Sequence, residues 1–391
     1  MTLKKVDIPL EVVILLIAGM SLVVTGALLF AVSNGLIPYY ENGFHGLLLV
    51  IIALQTMMLG KTPFGDVRRS RTLLAAGVIV AAVGIITCFV PTFSRFPRLL
   101  LLVCLGPGGL ALLLQMCIAR DKLRTWVRYG GILWHLTIGC SAVYCLSMLL
   151  AVLLWKGSMI ALSVTATAVL IYGIVVFYLA GVLRKVYRAY PGSEKSQENA
   201  GLSLDATMIL LTAVFMIILG LMLIPVSLRF LPFSGSAQIG LLMVIFAVQM
   251  LAAGSTPIGP FPRSWLIIFF GFIFAALGII SCIVPGILVS PLTILVGVLN
   301  ILGGIITLTK ICLPLLKAGK PRPVLPPVLA RLFIVQLIMN ILAIMFGTSM
   351  LIPNLVHGLV IGIILAANGG AILYLLHILV LLDKAQTVTK T

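Results

Sequence analysis

Charge is scarce in this sequence. Nine acidic and 26 basic residues make up 9% of 391 positions, against about a quarter in soluble domains, which excludes an ordinary soluble fold with a charged surface. Catalytic signatures are missing as well: there is no glycine-rich phosphate loop ahead of a Lys-Ser/Thr pair, no nucleophile elbow and no His-Glu-x-x-His. "CLGPGGLALLLQ" at 104–115 is rich in glycine but lies inside an apolar run, where close helix packing accounts for it. The sequence is therefore expected to be non-enzymatic and to carry no cofactor. Cysteine is sparse too. Cys88, Cys104, Cys117, Cys140, Cys145, Cys282 and Cys312 all lie in or at the end of apolar segments without metal-ligand spacing, and they read as small buried hydrophobes. No small-residue cleavage site follows "MTLKKVDIPLEVVILLIAG", so the first apolar segment is expected to be retained.

Long apolar runs are abundant. Hydrophobic residues make up 62% of the chain, the mean hydropathy is +1.27, and a bilayer-spanning helix needs about 20 apolar residues. Twelve such stretches lie near 9–32, 46–61, 71–91, 98–118, 130–155, 158–183, 205–232, 237–254, 265–285, 288–311, 328–352 and 355–382. The expected fold class is an all-α integral membrane protein with about twelve transmembrane helices, in contact with the lipid bilayer and with little chain left over for a soluble domain.

The net charge of +17 is a topology signal. With a cytoplasmic N-terminus, the cytoplasmic connections hold Lys61, Arg68, Arg69, Arg71, Arg120, Lys122, Arg124, Arg128, Arg184, Lys185, Arg188, Arg263, Lys310, Lys317 and their neighbours, while only Arg95, Arg98, Lys156 and Arg229 fall opposite. That is the positive-inside pattern of a multi-pass protein of the bacterial inner membrane with both termini cytoplasmic. It leaves no role for nucleic acid as a partner.

The chain is also written twice. Shifted by 194 positions, residues 46–91 align with 240–285 without a gap, and 23 of the 46 pairs are identical. The expected organisation is a first six-helix repeat at 1–183, a polar linker at 184–205 and a second six-helix repeat at 206–391. Six spans per repeat place both repeats in the same orientation, with the pseudo-twofold axis along the membrane normal.

Within the repeat, one loop stands out. Thr62, Pro63, Gly65 and Arg69 recur as Thr256, Pro257, Gly259 and Arg263. Thr-Pro is expected to end the second span, the glycine to permit a tight turn, and the arginine to restart the chain at headgroup level. This is either a topological turn or a gating hinge. Gly77, Ala81 and Gly84, repeated as Gly271, Ala275 and Gly278, form a small-residue stripe suited to close helix packing, and the third and ninth spans are expected to be central. Gln55 and Gln249 are repeat mates that either line a shared pathway or bond between helices, and Asn340 and His135 are further polar candidates. His135 and His377 have no repeat mates, which favours structural histidines over the axial ligands of a haem. All acids but Glu11 belong to loops or helix ends, and Glu11 lies about a turn inside; a proton-coupled transporter would be unusual without a mid-membrane carboxylate.

Two resemblances follow. Odd-numbered spans end in "GLIP", "GIITCFVP", "MLIP", "GIISCIVP" and "MLIP", as if each half were three glycine- and proline-punctuated hairpins. This resembles the HdeD-like family of bacterial inner-membrane proteins, and implies a structural or envelope-stress role, with membrane-protein partners or a homo-oligomer, and no catalytic residue. Two six-helix halves, a polar central loop and a repeated basic loop also look like a major facilitator transporter, implying a permease for a small neutral or weakly polar solute. The loop matches that family only in part: Gly60 is followed by Asp66, Arg68 and Arg69, and the second copy has Pro260 where Asp66 stands.

Overall fold

The computed structural model describes residues 8–67, 70–92, 95–119, 123–157, 159–190, 204–261, 263–317, 327–352, 355 and 357–388. Among them are twelve helices long and apolar enough to cross a membrane, and the chain is an all-α multi-pass membrane protein. In chain order the helices are α1 (Leu10–Ser33), α2 (Glu41–Leu54), α3 (Arg71–Phe89), α4 (Arg95–Ile118), α5 (Leu123–Tyr129), α6 (Ile132–Trp155), α7 (Leu162–Ala189), α8 (Leu204–Ser227), α9 (Gly235–Ala253), α10 (Trp265–Ile283), α11 (Val289–Lys317), α12 (Pro327–Leu351) and α13 (Gly358–Val388). Only α5 is too short to span. A π-helical turn, Gln55–Leu59, extends α2.

Several boundaries differ from the sequence reading. α2 begins at Glu41 rather than near 46, because its first turn carries Asn42 and His45, which lower the local hydropathy but are buried in protein. α7 runs on to Ala189, so Arg184, Lys185 and Arg188 occupy its last turns rather than a linker; the polar stretch 191–203 lies outside the described residues, as does Pro353. Pro225 does not end α8, which continues to Ser227.

The chain forms two compact units that cut across the sequence repeat. One holds Met1–Gly201, Ser234–Gly254 and Pro262–Leu288; the other holds Leu202–Phe233, Ser255–Phe261 and Val289–Thr391. In the first unit α1 packs along α7, α2 along α3, α4 along α6 and α9 along α10. In the second, α8 packs along α13 and α11 along α12. Consecutive spans read as hairpins are thus not the closest pairs. α2 lies against α3 because glycines face each other there: a Cβ on Gly46 would meet Gly84 O at 2.5 Å. In the second unit a Cβ on Gly220 would meet Gly362 O at 2.5 Å. Such close approach substitutes van der Waals contact for the hydrophobic drive that lipid does not supply.

The two least apolar spans are the most buried. Glu41–Leu59 is the least apolar span at 1.6, yet 89% of its window is buried, and α9 follows at 1.8 and 78%. Polar side chains are tolerated where protein rather than lipid surrounds the helix. α3, expected to be central, is buried along the stripe of Gly77, Ala81, Gly84 and Cys88 and at its end around Ile85, Thr87 and Phe89, with Ile79 exposed.

Candidate functional site

The repeated loop is built alike in both copies, but not as the Thr-Pro pair suggests. Gly60 ends the π turn in the left-handed region (φ 68°), with its N–H donating to Thr56 O, and Gly254 ends α9 in the same way (φ 73°). A side chain would be strained at this φ, and glycine is free to adopt it. Helix termination therefore belongs to these glycines. Two antiparallel two-residue strands follow, β1 (Lys61–Thr62) with β2 (Gly65–Asp66), and β3 (Ser255–Thr256) with β4 (Gly259–Pro260). Thr62 donates its hydroxyl to Gly65 O at 2.7 Å, and Thr256 to Gly259 O at 2.8 Å. Pro63 and Pro257 sit at the hairpin tips under α4 and α11, where a Cβ on Gly108 would lie 2.8 Å from Pro63 O and one on Gly303 2.2 Å from Pro257 O.

Arg263 also departs from expectation. Its guanidinium donates to Leu251 O at 2.8 Å and to Ile8 O at 3.0 Å, which satisfies one of the orphan carbonyls at the end of α9. Arg69 lies outside the described residues. Ser70 and Ser264 then cap α3 and α10, each hydroxyl accepting from the N–H three residues on.

The small-residue stripes lie against α2 and α9. Gly77 faces Met57 and Gly84 faces Gly46, while Gly271 faces Leu251 and Gly278 faces Gly240. Ala81 and Ala275 are fully buried between them. At one end of these helices Asn42 donates to Pro91 O at 3.0 Å, and Ser236 exchanges hydrogen bonds with Ser281. Two backbone bonds join the pairs: Tyr40 N–H donates to Ile283 O at 2.8 Å, and Ser234 N–H to Phe89 O at 3.0 Å. The Cys88 and Cys282 thiols lie close to each other between them, Cys88 donating to Gly43 O at 3.5 Å and Cys282 to Ala237 O at 3.6 Å.

The two glutamines are not equivalent. Gln55, on the π turn, faces a cavity of about 360 Å³ within the first unit, walled by α1, α2, α4, α6 and α7; Gln249 is not among its lining residues. The cavity's walls are mainly aliphatic, Ile14, Ala18, Leu22, Ile51, Val143 and Leu179 among them. Its polar end is a three-residue cluster that the sequence did not reveal. Glu11 accepts from the Lys61 ammonium on one carboxylate oxygen and from the Tyr187 hydroxyl, at 2.6 Å, on the other. These residues lie 50 and 176 positions from Glu11, and a lone carboxylate just inside a span was the only hint. Trp126, on α5, also lines the cavity.

The other candidates stay local. Asn340 donates to Gln336 O, four residues back on α12, and His135 Nδ1 lies 2.8 Å from the Tyr178 hydroxyl on the exposed side of α6. Comparison with family models, curated proteins and solved structures finds no match to the chain.

Proposed function

We propose that the chain is a non-catalytic, HdeD-like scaffold protein of the bacterial inner membrane, with both termini cytoplasmic. It is built from two six-helix repeats inserted in the same sense. The reciprocal bonds Tyr40 to Ile283 and Ser234 to Phe89 carry this reading. Tyr40 and Ser234 stand 194 positions apart, as do Phe89 and Ile283, so the two contacts are one contact related by the repeat. A seam of facing glycines, thiols and clasped carbonyls suits a body held rigid so that other membrane proteins can assemble on it, and the hairpin clamped under α4 favours a topological turn over a hinge. Native mass spectrometry of the protein extracted from its own membrane in mild detergent tests this: stable co-purifying subunits are expected, and a lone chain would contradict it.

A second reading, a permease for a small neutral or weakly polar solute, draws on the cavity at Gln55. It predicts solute flux in liposomes that falls when Gln55 is replaced by Leu.

A further inference from the structure

The cavity has the dimensions and chemistry of a site for a single lipid chain. Eleven residues of α1 separate Glu11 from Leu22 along its wall, a rise of roughly 16 Å, or about half of a hydrocarbon core of roughly 30 Å. The volume of about 360 Å³ lies within the range of small-molecule sites. Along this length the walls offer branched aliphatic side chains, and at one end only they offer charge.

The charged end selects for an acid. Both oxygens of Glu11 already accept hydrogen bonds, from Lys61 and Tyr187, so its charge is already matched by the Lys61 ammonium within the cluster. An ammonium carries three protons, and Lys61, about one third exposed, has further protons to donate. Arg124 and Arg128 on α5 and Arg184, Lys185 and Arg188 on α7 add positive charge on the helices that bring Trp126 and Tyr187 to the cavity.

Two further groups point to an occupant. The Gln55 amide and the Tyr172 hydroxyl line the cavity and make no hydrogen bond to the described residues, which leaves both open to a partner inside it. Gln55 is set on the π turn, a distortion that often re-aims a side chain at a functional site. The repeat sharpens the point. Thr62, Pro63 and Gly65 are duplicated, whereas Lys61 is matched by Ser255, so the cation belongs to this cavity and not to the turn.

We propose that this cavity binds a single-chain acidic amphiphile, its carboxylate or phosphate monoester headgroup on Lys61 and its chain between α1, α6 and α7, with Gln55 meeting the headgroup from below. The site does not depend on the scaffold reading, since a structural lipid and a handled one would occupy it alike.

The test is equilibrium binding to the full chain in lipid nanodiscs, with radiolabelled palmitate and palmitoyl lysophosphatidate as probes and hexadecanol and hexadecyltrimethylammonium as competitors. Saturable binding of one acid per chain is expected, with the tighter of the two identifying a fatty acid or a lysolipid as the source, and with the cation unable to compete. Lys61→Gln is expected to weaken the acid at least about tenfold and leave hexadecanol unchanged, Lys61→Arg to restore the acid, and Val143→Phe, which fills the shaft, to weaken every chain. Val143→Phe keeps Glu11, Lys61 and Tyr187, so it tests the shaft even if Lys61→Gln fails to fold. Absence of saturable binding of either acid overturns the proposal, as does binding that is indifferent to headgroup charge or unchanged in both Lys61→Gln and Val143→Phe.

Discussion

The N–H of Tyr40 donates to the carbonyl of Ile283 at 2.8 Å, tying the residue just ahead of α2 to the last residue of α10. Its repeat counterpart, Ser234 to Phe89 at 3.0 Å, ties α9 to α3 in return. Four helices are thereby joined by backbone atoms, which no side-chain substitution other than proline removes, and the side chains between them pack accordingly.

Gly46 tests that packing. A Cβ there would lie 2.5 Å from both Gly84 O and Cys88 Sγ, and backbone cannot move aside as a flexible side chain can. Gly46→Val is expected to cost more than the roughly 1–3 kcal/mol typical of overpacking, and to lower the thermal midpoint in detergent by several degrees or prevent accumulation of folded protein. Gly181→Ala, where nothing lies within 4 Å, is expected to leave the midpoint unchanged or raise it slightly. Thermal unfolding of the two variants side by side checks this.

The turn glycines give a second prediction. Gly60→Ala and Gly254→Ala force an L side chain to φ near 70°, at about 1–2 kcal/mol each. Asn tolerates this region better, so Gly60→Asn is expected to lose less than Gly60→Ala in the same unfolding measurement.

How much of this was legible in the sequence depends on what each residue had to signal. The twelve spans were, because lipid demands apolar runs and the chain supplies them. The start of α2 was not: Asn42 and His45 are polar, and only the surrounding protein makes their burial possible. Glycine stripes announced close packing at Gly77 and Gly84 but not the partner, since hairpin order suggested α1 with α2 and α3 with α4, while α2 pairs with α3 and α1 with α7. Gln55 and Gln249 are identical in the sequence and differ in surroundings, because Gln55 sits on a π turn and lines the cavity of the first unit, whereas Gln249 lies within α9 and does not line it. The Glu11, Lys61 and Tyr187 cluster has no local signature at all, its members being brought together by the packing of α1 on α7 and by the end of α2.

Arg263 carries a third prediction. Its removal leaves Leu251 O and Ile8 O without their charged donor, and hydrogen bonds to charged groups are worth about 1.5–3 kcal/mol. Arg263→Ala is expected to loosen the end of α9 and speed proteolytic cleavage near 255–261. Arg263→Lys, with a single point donor in place of a planar fork, is expected to recover only part of the protection. Limited proteolysis in detergent, timed by gel, reads both.

Glu11 supplies a fourth. Glu11→Gln removes the carboxylate from Lys61 and weakens the Tyr187 bond together, whereas Tyr187→Phe removes one hydrogen bond, about 1 kcal/mol. The larger fall in thermal midpoint is therefore expected for Glu11→Gln. Equal effects would mean that the ion pair adds nothing beyond the hydroxyl contact.

The repeat mates meet across one seam, and Cys88 with Cys282 reports on that seam. With the other five cysteines replaced by alanine and a protease site placed within 191–203, membranes are treated with copper phenanthroline, cleaved, and run on a non-reducing gel. The two halves are expected to migrate as one band that separates on reduction. Two separate bands after full oxidation, with both thiols still open to alkylation in denaturant, would contradict it.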